Sequence, residues 1–443
     1  MKKIINRVAY ATLALVLCQF SFSVYARSLE QTVAVAFNTN PDLKQVYHNY
    51  KAVLQEHNVA QSGWYPTLDL EASIGVGRQD SPESRASLQN ESIKPLSYGL
   101  TLSQLLFDGF FTSENIKRTD FEAQSELFQL KAAAENKALE VVNAYLNVIK
   151  DQTLVDLSLK NTETHQQIQQ QIQLRHDNGL GSVSDLSQAN GRLARAQATY
   201  FTAQNNLADS VGAFIRLVGE KPNELILPVP DAVMLPVSEG QFLDKAKLNH
   251  PTIKSAIADI KAAQAQLEVN KSPNLPTLTA QLSHTHTDDR NNGGLERTQT
   301  RADLVLSYNL YRGGQDQARV KQFAYVVNQA QDIKDSAQRQ VVEGAQFSWN
   351  SYSFVSRQIE FLQTHVEQSF ITKQAYKEQF EFGRRTLLDL LDTENELFEA
   401  RRNFVTAETE YLHAHYRLFN AMGELLTALR INGDEYWQLK IEK

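Results

Sequence analysis

The chain has 443 residues, a formal charge of −7, 42% hydrophobic residues and a single cysteine. This acidic balance argues against nucleic acid as a partner. With no Gly-rich phosphate loop and no His-x-x-x-His spacing, the sequence carries no catalytic constellation and no motif for a cofactor or a metal.

Lys2, Lys3 and Arg7 lead into an apolar run at 8–20 and a Ser-Val-Tyr-Ala stretch at 23–26. Residues 1–26 therefore read as a secretory signal peptide cut after Ala26, the run being too short for a membrane span. Leu17 precedes Cys18 where a lipoprotein signal requires a small residue, so the only cysteine leaves unlipidated with the signal. Loss of three basic residues and no acidic one takes the formal charge from −7 to −10. The mature chain enters an oxidising compartment with no disulfide and no thiol chemistry.

Residues 29–62 have the length of a short leading helix. A β signal follows: Leu68, Leu70, Ala72, Ile74 and Val76 alternate with Asp69, Glu71 and Ser73, and Tyr98, Leu100 and Leu102 with Gly99, Thr101 and Ser103. A polar loop at 78–96 joins the two strands. No proline lies between Pro95 and Pro222, and that tract is rich in strong helix formers. Residues 112–178 read as one helix, with Leu127, Ala134, Val141, Val148 and Val155 as a heptad column. At 1.5 Å per residue it spans roughly 100 Å. A turn at 179–182 sends a second helix back over 183–218.

After a linker at 219–238 the same order begins again. Residues 239–271 form a leading helix. Leu278, Ala280 and Leu282 then alternate with polar residues, as do Ala302, Leu304, Leu306 and Tyr308, around a polar loop at 287–299. Residues 315–382 repeat the long helix. His284 and His286, with Asp288 and Asp289, sit at a strand end and loop without the spacing of a metal motif. Tyr98, Tyr308 and Tyr311 near strand ends suit either an interfacial girdle or simple packing.

The stretch 382–426 holds a seven-residue repeat for its whole length. One column reads Leu390, Leu397, Phe404, Tyr411, Leu418, Leu425, and a small-residue column reads Thr393, Ala400, Ala407, Ala414, Ala421, Ala428. Together they make one seam of a supercoiled helix. A further apolar column, Leu391, Phe398, Val405, Leu412, Phe419, Leu426, lies beyond the polar column Glu394, Arg401, Glu408, His415, which is expected to face water.

Subtracting 204 places Leu186, Leu193, Tyr200, Leu207 and Phe214 on the first column and Ala189, Ala196, Ala203 and Ser210 on the second. The same offset matches Asp185 to Asp389 and Leu-Phe-Asp-Gly at 106–109 to Leu-Tyr-Arg-Gly at 310–313; upstream the offset is 210, pairing Asn40-Pro41 with His250-Pro251 and Tyr65-Pro66 with Leu275-Pro276. The chain is a duplication, 27–218 and 239–429, with a tail at 430–443. The units are too long for a solenoid repeat.

Four strands, apolar on one face and polar on the other, carry the signature of transmembrane hairpins. A soluble meander would need a cover for those apolar faces, and no helix is left to supply it. Four strands cannot close a barrel and open edges are not viable in lipid, so the chain must oligomerise around a shared barrel of at least eight strands.

With this layout, the strand entries at Pro66 and Pro276 and the Thr-Leu-Leu-Asp-Leu-Leu-Asp run at 386–392, the chain resembles the TolC family of outer-membrane channel-tunnels. The likeness covers residues 28–429. It implies a mainly α protein with long antiparallel coiled-coil hairpins, forming a homotrimer whose twelve strands share one barrel in outer-membrane lipid. It also implies a periplasmic adaptor protein and an inner-membrane ABC or other pump as partners. The shared-face pair Asp389 and Asp392, near a helix start where acids also offset the helix dipole, corresponds to the family's acidic ring at the entrance. Gly179, Leu180, Gly383 and Arg384 correspond to adaptor-contacting tips. Ser184 and Asp185 on one hairpin and Arg385 on the other correspond to the lock that closes the tunnel; a tyrosine that usually assists is Phe380 here. The implied function is a trimeric exit duct, first for type I protein secretion and alternatively for small-molecule efflux. A soluble periplasmic coiled-coil scaffold is the reading from another class.

Overall fold

The computed structural model describes residues 27–79, 91–289 and 295–432; the signal peptide, the inner parts of both polar loops and the tail from 433 lie outside them. The first repeat runs α1 (Leu29–Thr39), α2 (Pro41–Ser62), β1 (Thr67–Ile74), β2 (Gly77–Gln79), β3 (Glu91–Ile93), β4 (Pro95–Phe107), α3 (Phe111–Asp177) and α4 (Val183–Val218). The second runs α5 (Glu239–Asn249), α6 (Pro251–Val269), β5 (Thr277–Asp289), β6 (Leu295–Ser307), α7 (Gln315–Glu381) and α8 (Leu387–Met422), followed by the short α9 (Leu425–Ala428). The long and returning helices of the two repeats start and stop 204 residues apart, as the sequence pattern requires.

The expected leading helices are each broken once. Asn40 (φ −68°, ψ 121°) and His250 (φ −59°, ψ 124°) are extended because a residue before proline is barred from the helical region, and each proline then serves as the first residue of a new helix. The break is used. The Asn40 amide donates to the Leu217 carbonyl at 3.1 Å while its oxygen accepts from Asp42 N at 3.0 Å, and Thr39 Oγ1 donates to the Val218 carbonyl at 2.7 Å. Two carbonyls at the end of α4 that have no intrahelical partner are thereby satisfied. The heptad stretch also ends earlier than expected: Gly423 (φ 70°) caps α8 in the left-handed conformation.

The described residues form two compact units, each drawing on both repeats: one from within 27–43, 133–246 and 343–432, the other from within 44–132 and 247–342. In the first, the core is built from Tyr145, Phe214, Phe242, Leu418, Phe419, Met422 and Leu425, all fully buried. Ala400, Ala407 and Ala414 of the small-residue column are buried too, so the seam read from the heptads is packed, as is the further column at Leu391, Phe398, Leu412 and Phe419. The Tyr145 hydroxyl accepts from Ile226 N at 2.9 Å and lies 2.9 Å from the Arg27 carbonyl, pinning the segment after α4 beside Arg27 just ahead of α1. Glu135 on α3 accepts from Leu425 N at 2.9 Å and Leu426 N at 3.2 Å, fastening α9.

The second unit holds an antiparallel sheet in the order β1-β4-β5-β6. Thr67 opposes Ser103 in the first hairpin and Thr277 opposes Ser307 in the second, which is one register carried over by the same two offsets. Both loops are shorter than expected, since β4 begins at Pro95, β5 runs to Asp289 and β6 begins at Leu295. His284 and His286 are therefore strand residues, not loop residues. They sit 2.8 Å and 2.9 Å from the hydroxyls of Thr300 and Thr298, cross-strand pairs that keep the ladder going. The apolar face is uncovered: Leu68, Leu70, Ile74, Leu304 and Leu306 are each 66–82% exposed. Asp108 ends β4 and caps α3, its Oδ2 accepting from Thr112 N at 2.8 Å. Among the described residues no helix is long and apolar enough to cross a membrane.

Candidate functional site at the hairpin ends

Both long hairpins turn in the same way. Leu180 N donates to the Arg175 carbonyl at 2.8 Å and Gly179 N to the His176 carbonyl at 2.9 Å; Arg384 N to Gln379 (2.8 Å) and Gly383 N to Phe380 (3.0 Å) repeat the arrangement. This left-handed glycine ending satisfies the last carbonyls of α3 and α7. Gly179 (φ 73°) and Gly383 (φ 68°) have nothing within 4 Å of a Cβ position, so the positive φ alone demands glycine there. The following residue is where the repeats diverge. Leu180 is 82% exposed and stands beside the exposed Val183, while the equivalent Arg384 is cationic and follows the exposed Phe382.

The return helices start alike as well. Ser182 Oγ accepts from Asp185 N at 3.1 Å, and Thr386 Oγ1 accepts from Asp389 N at 3.2 Å. Asp389 closes a capping box by accepting from Thr386 N at 3.1 Å and Thr386 Oγ1 at 2.8 Å. Those hydrogen bonds, and then the Arg385 guanidinium 4.0 Å away, hold its carboxyl below the usual range. Ser184 Oγ lies 2.7 Å from Ser182 Oγ.

The structure brings the two hairpins together. Ile168, Ile172 and Ala189 pack against Leu387, Leu390 and Leu391, with Leu186 and Phe380 at the edge of the cluster. Asp389 and Asp392 are neighbours on one helix but make different contacts. Asp392 pairs with Arg192 of α4 at 2.7 Å, whereas Asp389 turns back onto its own helix start. Arg385 stays on its own hairpin: Nε donates to Gln379 Oε1 at 3.0 Å and the guanidinium lies 4.1 Å from the Tyr376 ring centroid. Among the described residues of one chain it does not reach Ser184 or Asp185.

The polar column of α8 does not face water throughout. Glu394 is only 8% exposed and pairs with Lys373 at 3.1 Å, and His415 is buried, with the rings of Tyr352 and Tyr411 each at 4.7 Å. Burial holds His415 below its ordinary pKa. Periodicity missed these partners because it counts charge as solvent-seeking. The duplication holds the signal instead: Gln169 bonds Asn190 at 3.1 Å in the first repeat, and their equivalents are Lys373 and Glu394. Arg192, which neutralises Asp392, aligns with Glu396, itself 2.8 Å from His365.

The family model for outer membrane efflux proteins matches residues 33–220 and 242–424. The outer membrane protein TolC of Vibrio cholerae is 24% identical over 438 residues, covering 96% of each chain. The alkaline protease secretion protein AprF of Pseudomonas aeruginosa is 21% identical over 411 residues, with 89% of this chain and 84% of that protein aligned. The CmeC outer membrane channel of Campylobacter jejuni shares the fold with a TM-score of 0.79 at 15% identity, covering 90% of this chain and 86% of that one. A duplicated pair of long helical hairpins with a four-stranded, uncovered sheet, matched by that family model along most of its length, makes this chain a member of the outer membrane efflux protein family and a protein of the outer membrane.

Proposed function

We propose that three copies of this chain form the outer-membrane exit duct of a tripartite export system, with the hairpin ends as its periplasmic entrance. The observation that carries this reading is the convergence of two capped hairpin ends that bear Asp389, Asp392 and Arg385 on one side and Ser184 and Asp185 on the other. Gly179, Leu180, Gly383 and Arg384 are the surface offered to a periplasmic adaptor, and an inner-membrane pump supplies the cargo. Type I protein secretion is the route we favour, supported by the likeness to a protease secretion protein along 89% of this chain; small-molecule efflux is the second route, supported by the family description. In closed channels Ser184 and Asp185 pair with Arg385 across hairpins.

Six carboxylates from three copies around one aperture favour cations. Changing Asp389 and Asp392 together to Ala lowers the cation preference of channels in planar bilayers and weakens block by multivalent cations. Arg192→Ala does the opposite, because it frees the Asp392 carboxylate from its 2.7 Å partner. Unchanged selectivity in both variants would reduce the acids to helix-start partners. Asp389 also fixes the pH dependence. Its pKa is lowered in the fold, so the capping contribution is present above the ordinary carboxylate range and is lost as pH falls through the lowered folded value. Cation preference from this residue therefore persists in acid where an ordinary aspartate has discharged.

A further inference from the structure

A cavity of about 460 Å³ lies at the foot of the sheet, where β4 passes into α3 and β6 ends. Its wall includes Asp108, Phe111, Leu275, Ser307, Tyr308 and Arg312, all within the second unit.

Asp108 calls for an occupant. Only 8% of it is exposed, and both hydrogen bonds that it receives from Thr112, one from the backbone N–H and one from the hydroxyl, end on Oδ2. Oδ1 is buried and has no hydrogen-bond partner among the described residues. Buried carboxylate oxygens are seldom left bare, because losing water without gaining a donor is costly. Capping α3 takes one oxygen, so the other is left for a donor from the cavity. The terminal torsion of an aspartate is soft, and a small turn presents this oxygen to a ligand.

The duplication supplies the opposite charge. Asp108 aligns with Arg312 under the offset of 204, and the fold sets both in the wall of one cavity. Each reaches the residue four positions on, Asp108 to Thr112 at 2.8 Å and Arg312 to Asp316 at 3.7 Å. No ion pair joins Asp108 to Arg312 among the described residues, and one contact with Asp316 leaves a five-donor guanidinium with donors to spare. A bare carboxylate oxygen and a guanidinium around one space suit a ligand that carries both an ammonium and an oxyanion.

The position selects among such ligands. Phe110, Phe111, Tyr308, Leu310 and Tyr311 are exposed around the strand ends, next in sequence to strands whose Leu304 and Leu306 are uncovered. Aromatic side chains so placed collect at headgroup depth at the edge of a bilayer. A charged cavity at that depth meets lipid headgroups.

We propose that this cavity binds the headgroup of a phospholipid with a primary ammonium, a phosphoethanolamine. Asp108 Oδ1 accepts from the ammonium, Arg312 donates to the phosphate, and the acyl chains lie over Tyr308, Leu310 and Tyr311. The inference requires the sheet to stand in outer-membrane lipid and is independent of gate, pump and cargo.

Lipid binding to the delipidated, detergent-extracted protein, read by native mass spectrometry, tests it. The parent is expected to bind dioleoylphosphatidylethanolamine roughly tenfold more tightly than dioleoylphosphatidylcholine, whose ammonium has no N–H, since a hydrogen bond to a charged group is worth about that factor. Asp108→Asn keeps an acceptor for the start of α3 and abolishes the preference. Arg312→Gln weakens both lipids alike. The comparison of the two lipids on the parent needs no variant, and so stands if either substitution disturbs folding. Equal binding of both lipids by the parent overturns the proposal and leaves the cavity to water. An unchanged preference in folded Asp108→Asn protein, or parental binding by Arg312→Gln, overturns it too. Soluble phosphoethanolamine that displaces the lipid at equal concentration overturns the lipid source and makes the cavity a site for a free zwitterion.

Discussion

Asp185→Ala or Arg385→Ser is expected to raise single-channel conductance above that of the parent, and the double variant to add little to the larger single effect. Two changes that break one link do not add. The repeat supplies the asymmetry behind this expectation: Asp185 and Asp389 are equivalent, but Arg385 is matched by Gly181, so only Asp389 has an arginine four residues before it. Within a chain Arg385 is held lightly, by Gln379 and the Tyr376 ring, and is free to turn to a neighbouring hairpin. An exposed pair contributes about 0.2–1 kcal/mol, and three copies roughly triple that. A lock of that size is one an adaptor can release. Parental conductance in both single variants would place the gate elsewhere.

Glu135→Ala is expected to give the largest loss of stability. Its carboxylate is the acceptor for Leu425 N and Leu426 N, and Leu425 is fully buried. A stranded buried donor costs about 1–3 kcal/mol, and α9 would lose its attachment to α3. Faster hydrogen exchange at 425–429 and a lower thermal midpoint are the readouts. Glu135→Gln keeps an acceptor and loses less. It also removes a pH dependence: burial pushes the Glu135 carboxyl from 4.5 up to about 7. With the folded pKa raised, its stabilising share is fully present below 4.5 and is lost as pH rises through about 7. That window corresponds to roughly 3 kcal/mol. The parent should therefore melt higher at pH 5 than at pH 8 by a margin the Gln variant lacks. Equal pH profiles in the two proteins would show that Glu135 does not titrate there.

Heptad columns placed the long helices to within a residue, because a seven-residue apolar repeat leaves little choice of structure. Alternation found all four strands of the sheet, and the repeat offsets held in the pairing register itself. What periodicity could not show was where charge is buried. Glu394 and His415 fall on a column that reads as solvated, yet each is enclosed by a partner from α7. The breaks at Asn40 and His250 are legible from the prolines that follow them, because the steric bar on a residue before proline overrides helix length. Arg192 emerges only when the two repeats are compared residue by residue, since its partner Asp392 lies 200 positions away.

The claim on which the rest depends is that one channel is built from several copies of a chain too short in strands to close alone. Light scattering of the detergent-extracted outer-membrane protein, combined with bilayer recording from the same fraction, tests it directly. Three chains per particle and cation-preferring channels from that particle are expected. A stable monomer with full secondary structure, conducting or not, would contradict it.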